Sequence, residues 1–265
     1  MSALRAAAGH AGRLLALLLL AMIGLQLFFI ARIALMAVVD PQSTTFQRSE
    51  AWRLLTETGR ITWGQQWVDD ARISAHLKRA VIASEDASFA EHAGVDWDAI
   101  EKAWEKNQRA EAVAERRNEQ LARRAARPNA PPAAAQVAPR VQAKVIGGST
   151  ITQQLAKNLV RSGERTLARK AQEFVLTFAL EALLSKRRIL EIYLNSVEWG
   201  EGLFGVQAAA RYYWRVDAAQ LGPYPAARLA VMLPAPKRFE KRPGSGYLAD
   251  RANTVVARMG AVELP

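Results

Sequence analysis

The sequence predicts a mainly α-helical chain with one membrane-spanning helix near its N-terminus. Three observations predict it. An 18-residue apolar stretch, Leu14 to Ala31, lies near the start. Apolar residues recur at three- and four-residue spacing through the C-terminal half, and the period-two runs that strands would need are missing.

The apolar stretch reads LLALLLLAMIGLQLFFIA, with Gln26 its only strongly polar member. At ~1.5 Å per residue it spans roughly 27 Å, close to the hydrocarbon thickness of a bilayer. Arg5 and Arg13 precede it, which places residues 1–13 in the cytoplasm, 14–39 as the anchor, and the remainder outside. Arg32 follows, where its stem can snorkel to the headgroups. The apolar run exceeds the usual core of a signal peptide and no A-x-A site follows, so the segment reads as retained.

The chain has 265 residues, room for that anchor and one domain of about 200 residues. Half of the residues are hydrophobic, enough for a packed core. Cysteine is absent, which excludes disulfides, thiolate metal sites and a cysteine nucleophile. Net charge is +11, and all of the excess lies beyond residue 100: residues 101–145 carry 10 basic and 5 acidic groups, residues 146–265 carry 17 and 10. Such a surface suits phosphates, whether in nucleic acid, anionic lipid or a pyrophosphate.

The domain runs from 46 to 265. Apolar residues at helical spacing from Ala71 to Val81 predict a helix there. Lys106 to Arg127 is rich in strong helix formers without an apolar stripe, and residues 128–139 hold four prolines and no charge. The pair reads as a solvated helix and an irregular linker inside a basic, Ala/Pro-rich insertion, 101–145. From Ile151 onward Gln153, Leu155, Leu159, Phe174, Leu176, Phe178, Leu180, Leu183 and Leu184 suit helices with buried sides, and Ile189, Leu190, Ile192, Tyr193 and Leu194 continue the pattern.

Three segments could carry chemistry. SEDASFAEHAGVDWDAI, residues 84–100, packs five carboxylates behind an apolar run. Glu85 directly follows that run, so desolvation would raise its pKa and make it a usable base near neutrality. The same residues also read as an acidic helix start with Ser84 as cap. GGSTITQQLAKN, residues 147–158, leads glycines and hydroxyls into a helix from which Gln153, Gln154, Lys157 and Asn158 project. That surface suits sugar hydroxyls beside a phosphate, or is simply a capped helix with a polar face. In RKAQEFVLTFALE, residues 169–181, Arg169 and Lys170 reach Glu173 on the next turn. They could hold a pyrophosphate, or form a surface ion-pair cluster.

Other patterns are dismissed. Gly200, Gly202 and Gly205 spell a dinucleotide fingerprint but follow a helical pattern with no parallel-sheet signature. Three histidines without H-E-x-x-H argue against a zinc hydrolase, and His92 reads as a hydrogen-bonding residue. Ser-x-x-Lys is absent, and with it penicillin-binding acylase chemistry.

Together these segments resemble the peptidoglycan glycosyltransferases. Glu85-Asp86 with Phe89, His92, Gly94 and Asp96 looks like their first signature, GGSTITQQLAKN their second, and Arg169-Lys170 with Glu173 their third. Lys186, Ile189-Leu190-Glu191 and Tyr193-Leu194-Asn195 match the fourth, and residues 198–214 and 233–251 continue in the family manner. The missing acylase signature points to the monofunctional biosynthetic branch. The sequence departs from the family between Ile100 and Gly147, a connection that is usually short and basic.

The resemblance implies a lysozyme-like helical lobe with a smaller membrane-proximal lobe, preceded by one transmembrane helix. It implies polymerisation of lipid II by inverting transfer, with Glu85 as general base and Glu173 assisting on the donor side. Ser149, Thr150, Gln153, Lys157, Asn158, Arg169 and Lys170 would bind substrate or pyrophosphate, and Asp86, Phe89, His92 and Asn195 would support the cleft. No metal site or cofactor is required, though a divalent cation could accompany the pyrophosphate. Implied partners are lipid II, the growing lipid-linked glycan, membrane lipids and other cell-wall synthesis proteins, not nucleic acid. The implied place is the cytoplasmic (inner) membrane with the catalytic domain in the periplasm. Two other classes stay in view: a lytic enzyme on the same scaffold, which would need one acid glutamate and no cation cluster, and a non-catalytic membrane scaffold.

Overall fold

The computed structural model describes residues 2–125, 140–143, 147–160 and 166–265. It contains two compact units, one built from Met1–Gly94 and Thr150–Pro265, the other from Val95–Ser149.

The larger unit opens with helix α1, Ser2–Leu35. Its stretch Gly9–Leu35 is long and apolar enough to cross a membrane, as expected of a single-pass protein, and its most apolar part is uncovered by protein. Helix geometry continues past Arg32 because that guanidinium turns to the Ser43 carbonyl, 3.1 Å away, while Ile33 and Met36 are buried in the core. Helix α2, Thr45–Thr58, starts at a reciprocal capping box between Thr44 and Gln47. A 3₁₀ turn at Asp70–Arg72 then delays the next helix, α3, to Ala75–Glu85, four residues beyond where the apolar spacing begins. Ser74 is its cap, accepting from the His76 N–H and donating to the Leu221 carbonyl at 2.6 Å. Glu85 is therefore the last residue of a helix, which overturns the reading of Ser84 as the cap of an acidic helix start.

The smaller unit is dominated by helix α4, Trp97–Ala125, opened by Asp96 accepting from the Ala99 N–H. Most of its described side chains are exposed, as the missing apolar stripe predicts, with Ala103 and Ala114 buried. Asn118 holds the returning chain through both backbone groups of Val141. The proline-rich linker, 128–139, lies outside the described residues.

Back in the larger unit, helices α5 (Ile151–Val160), α6 (Leu167–Leu183) and α7 (Lys186–Ser196) follow. Helix α5 packs on both α6 and α7, and Leu155, Leu176, Leu180 and Ile189 are essentially fully buried, whereas Phe178 and Leu183, expected on buried sides, lie on the outer face of α6 and are exposed. Each such side chain contributes about 1.5–3 kcal/mol by leaving water. A small sheet comes next: β1 (Gly64–Gln65) pairs parallel with β3 (Leu203–Phe204), which pairs antiparallel with β2 (Glu198–Gly200). Gly200 thus ends a strand, where the helical pattern gave no sign of one. The glycines serve the turn rather than a nucleotide: Gly202 has φ +70, and a Cβ on it would sit 2.1 Å from the Thr62 carbonyl oxygen.

The chain closes with α8 (Val206–Trp214), α9 (Pro223–Met232), α10 (Pro236–Phe239) and α11 (Gly246–Met259). Helices α3, α9 and α11 pack against one another. Ala80 on α3, Ala226, Ala227 and Ala230 on α9 and Ala252 on α11 are all fully buried, and such small side chains allow close helix approach. That packing fixes the end of α3, and with it Glu85.

Candidate active site

The buried face of α3 carries Glu85 out at its C-terminal end, where the helix dipole is negative. The residue keeps part of its surface open while protein atoms enclose its carboxyl. Burial raises its pKa above the ordinary carboxylate value, and the neighbouring charge of Asp86 pushes the same way. Gln154 opposes them, donating from Nε2 to Glu85 Oε2 at 3.0 Å. The Gln154 carbonyl in turn accepts from the Tyr193 hydroxyl at 2.8 Å. Burial first, then the charges of Glu85 and Asp86, hold that phenol well above its usual value, so Tyr193 acts as a donor. Tyr193, Gln154 and Glu85 form one chain of hydrogen bonds. Among the described residues, no cation is bonded to the Glu85 carboxyl; its partner is the Gln154 amide.

The next residues brace that end. Asp86 Oδ2 accepts from the Ile151 N–H at 2.9 Å and so seats the start of α5, where a negative charge meets the positive end of the helix. Asp86 Oδ1 lies 2.9 Å from His92 Nε2, while His92 Nδ1 accepts from the Gly94 N–H at 3.1 Å. Nε2 therefore carries the proton and donates to Asp86. Gly94 has φ +88, and a Cβ on it would stand 2.8 Å from both Glu181 and Thr177, so glycine is required. Phe89 is fully buried, with the Lys186 ammonium 4.5 Å above its ring. Thr150 donates to the Gly94 carbonyl and exchanges capping bonds with Gln153, each via a backbone N–H. Those two polar side chains hold the helix start; it is Gln154, one position on, that reaches Glu85.

A second cluster stands on α6. Glu173 is only 4% exposed, which a surface ion-pair cluster would not be. Arg169 is bonded to its Oε1, and Lys170 Nζ lies 3.2 Å from its Oε2. The Lys170 side chain is still 45% exposed, so it can also meet an incoming anion. Thr152 on α5 donates to Glu181 on α6 at 2.5 Å, and Lys186 adds an ion pair at 2.9 Å, tying the helix bearing Gln154 to the helix bearing Glu173.

The remaining expected residues are spread around these clusters. Lys157 is exposed and Asn158 buried in the last turn of α5. Asn195 is fully buried and bonds both backbone groups of Val68 as well as the Glu191 carbonyl, the work of a brace. Ser149 is exposed and belongs to the smaller unit. Gln154 and Tyr193 were missing from the expected site. The first was visible only as one of several amides on a polar face, the second only as a motif position in an apolar helix. Among the described residues, no group of three or more His, Asp or Glu side chains could hold a metal ion.

A family profile described as Transglycosylase matches residues 53–117 and 129–260, passing over part of the 101–145 stretch. The biosynthetic peptidoglycan transglycosylase of Burkholderia orbicola (strain MC0-3) is 48% identical over 240 residues, 91% of this chain and 85% of that protein. The protein of the same description from Burkholderia thailandensis is 47% identical over 241 residues, 91% of this chain and 82% of its own. That from Burkholderia multivorans is 48% identical over 240 residues, with coverage of 91% and 85%. With a profile that spans most of the chain and relatives this similar along nearly all of it, the chain belongs to the transglycosylase family, as a peptidoglycan glycosyltransferase.

Proposed function

We propose that the enzyme polymerises lipid II into glycan strands, with Glu85 as general base and the α6 cluster receiving the donor pyrophosphate. The observation that carries this is the contrast in charge around the two glutamates: Glu85 is bonded by an amide, Glu173 by two cations. Glu85 takes the proton from the 4-hydroxyl of the incoming lipid-linked disaccharide. That oxygen forms a bond to the anomeric carbon of the growing chain from the face opposite the leaving group. The bond from that carbon to the pyrophosphate oxygen breaks, and its electron pair departs with undecaprenyl pyrophosphate. Configuration at the carbon is inverted, the outcome expected when a base activates the acceptor directly, by analogy with inverting hydrolysis.

Lys170, half open to solvent, and Arg169 neutralise the departing pyrophosphate, with Lys157 in support, and Glu173 holds both α6 cations in place. Because Glu173 is already taken by cations, a divalent ion fits here only as a companion of the pyrophosphate, not as a protein-held cofactor. Titrating magnesium against a chelator during turnover tests that assignment.

The charge order around α1 supports the cytoplasmic membrane with the N-terminus inside and the catalytic domain in the periplasm. An N-terminal reporter that works only in the cytoplasm supports this orientation, and one that works only outside reverses it. For the reaction itself, purified enzyme is given lipid II or finished sacculi. Polymer and undecaprenyl pyrophosphate from the first, with an inverted linkage, are expected. Release of fragments from sacculi instead would replace synthesis by cleavage.

A further inference from the structure

Gln26 is the only strongly polar residue of the apolar stretch, and it has a partner. Its Nε2 donates to Gln172 Oε1 at 2.7 Å, and Gln172 Nε2 donates back to Gln26 Oε1 at 3.0 Å. The two residues are 146 positions apart, one on α1 and one on α6. Gln172 immediately precedes Glu173 and lies between Arg169 and Lys170 on one side and the rest of α6 on the other.

The seam continues below this pair. Gln26, Phe29, Ile33 and Met36 fall at three- and four-residue spacing along the side of α1 that turns inward, beside the half-buried Arg32: Phe29 packs on the core, and Ile33 and Met36 are buried. After the helix, Arg188 on α7 binds the Met36 carbonyl at 2.8 Å, the Val39 carbonyl at 3.2 Å and the Asp40 carboxylate at 2.8 Å. The surroundings of the amide pair are apolar and open, with Leu25, Leu27 and Phe28 exposed on α1 and Val175 and Phe178 exposed on α6. In hydrocarbon an amide has no water to turn to, so each of these side chains is held by the other. Helix α6 cannot rotate or slide against α1 without breaking both bonds.

We propose that the Gln26–Gln172 pair makes the membrane helix a positioning element of the enzyme, fixing the rotation and depth of α6 and so the placement of Arg169, Lys170 and Glu173 against the lipid-linked pyrophosphate. This rests on the donor-side role given above to those three residues. A flexible tether would only raise the local concentration of enzyme at the membrane. A positioning helix changes the rate of the bound complex.

The test uses the full chain in liposomes supplied with lipid II. Gln26→Leu and Gln172→Leu remove the amides while keeping the segments apolar. Both are expected to insert as wild type and to melt only a few degrees lower, the cost of the one amide left unpaired, with kcat lowered roughly 3- to 30-fold and KM little changed. Since the chain has no cysteine, Gln26→Cys with Gln172→Cys can be joined selectively by a short bis-methanethiosulfonate linker and released by reductant. Joining should restore kcat and reduction should lower it again. Wild-type kcat in both Leu variants, a loss that merely follows the melting temperature, a linker that does not form, or one that forms without restoring kcat would each overturn the proposal. Glu173→Gln is measured alongside. If it is fully active while the Leu variants are slow, the role given to Glu173 is at fault. If it is inactive while the Leu variants are normal, the coupling alone fails.

Discussion

Glu85 and Glu173 are the same side chain in two opposite settings. Glu85 ends a helix, with Asp86 beside it and an amide as its donor. Glu173 lies in the first half of a helix, nearly inaccessible, with a guanidinium and an ammonium on its two oxygens. Burial therefore means different things in the two places. At Glu85 desolvation outweighs the amide bond from Gln154, and proton uptake becomes favourable at higher pH than for an ordinary carboxylate. At Glu173 the carboxylate organises two cations, which a phosphate-bearing substrate then meets already aimed. A sequence shows a glutamate in both places, and only the neighbours separate a base from an anchor for cations.

The comparison breaks most visibly at Glu85. Glu85→Gln keeps the shape and the Gln154 contact but cannot take a proton, so polymerisation of lipid II should fall by about 10²–10⁴-fold. Folding should be unimpaired, because an amide is buried at less cost than a carboxylate. Turnover within a few-fold of wild type would remove Glu85 from the chemistry. At Glu173 the expected loss is smaller. Glu173→Gln leaves Arg169 and Lys170 charged but no longer held, and kcat should drop by roughly 10- to 100-fold, the order for a misplaced charge clamp. A loss as complete as that of Glu85→Gln would give Glu173 a direct part in bond-making.

Gln154 sharpens the comparison by pH rather than by rate. Its N–H stabilises the ionised form of Glu85 and so lowers that pKa. Gln154→Leu removes this contribution, so the acid limb of the pH–rate profile should move to higher pH. The plateau at alkaline pH should change by no more than about 10-fold if proton uptake is the main thing altered. The variant leaves the buried Tyr193 hydroxyl without its acceptor, at about 1–3 kcal/mol. Adding Tyr193→Phe should recover stability without returning the acid limb. A limb that stays in place in both variants would show that Gln154 does not tune the base.

What the sequence made legible follows from range. The apolar stretch, the helical spacing that begins near Ala71 and that of residues 151–194 are local patterns, and the corresponding helices are present. The apolar stretch itself stops at Ala31, yet the helix runs on to Leu35, with the Arg32 guanidinium bonded to the Ser43 carbonyl rather than marking an end. The sheet was missed because its strands are two or three residues long, too short to show alternation. Ser84 was read as a cap because an acidic run resembles a helix start, and nothing local shows that a 3₁₀ turn and Ser74 have moved the helix later in the chain. Gln154 and Gln26 are legible only as polar residues. Their partners, Glu85 and Gln172, lie 69 and 146 positions away.

A third glutamate provides the control. Glu198 on β2 is buried, and burial raises its pKa to about 7, with the charge of Glu50 adding to the rise. Lys237 works against that from 3.3 Å, but it also serves Glu50. A raised carboxyl pKa is thus not enough to mark a base, since Glu198 belongs to a charged network of α2, β2 and α10. Its effect belongs to stability. Below about 4.5 Glu198 is protonated whether folded or unfolded; between about 4.5 and 7 the folded form alone holds the proton. Folding therefore binds a proton in that window, and its stability contribution is lost as pH rises through it. Glu198→Gln removes the loss. Its melting temperature relative to wild type should be higher at pH 8 than at pH 4, with kcat within about 3-fold, the range expected away from the reacting groups. A difference that is constant with pH would mean that Glu198 has the same protonation in the folded and unfolded chain, and a collapse of kcat at unchanged melting temperature would make it a second candidate for the base.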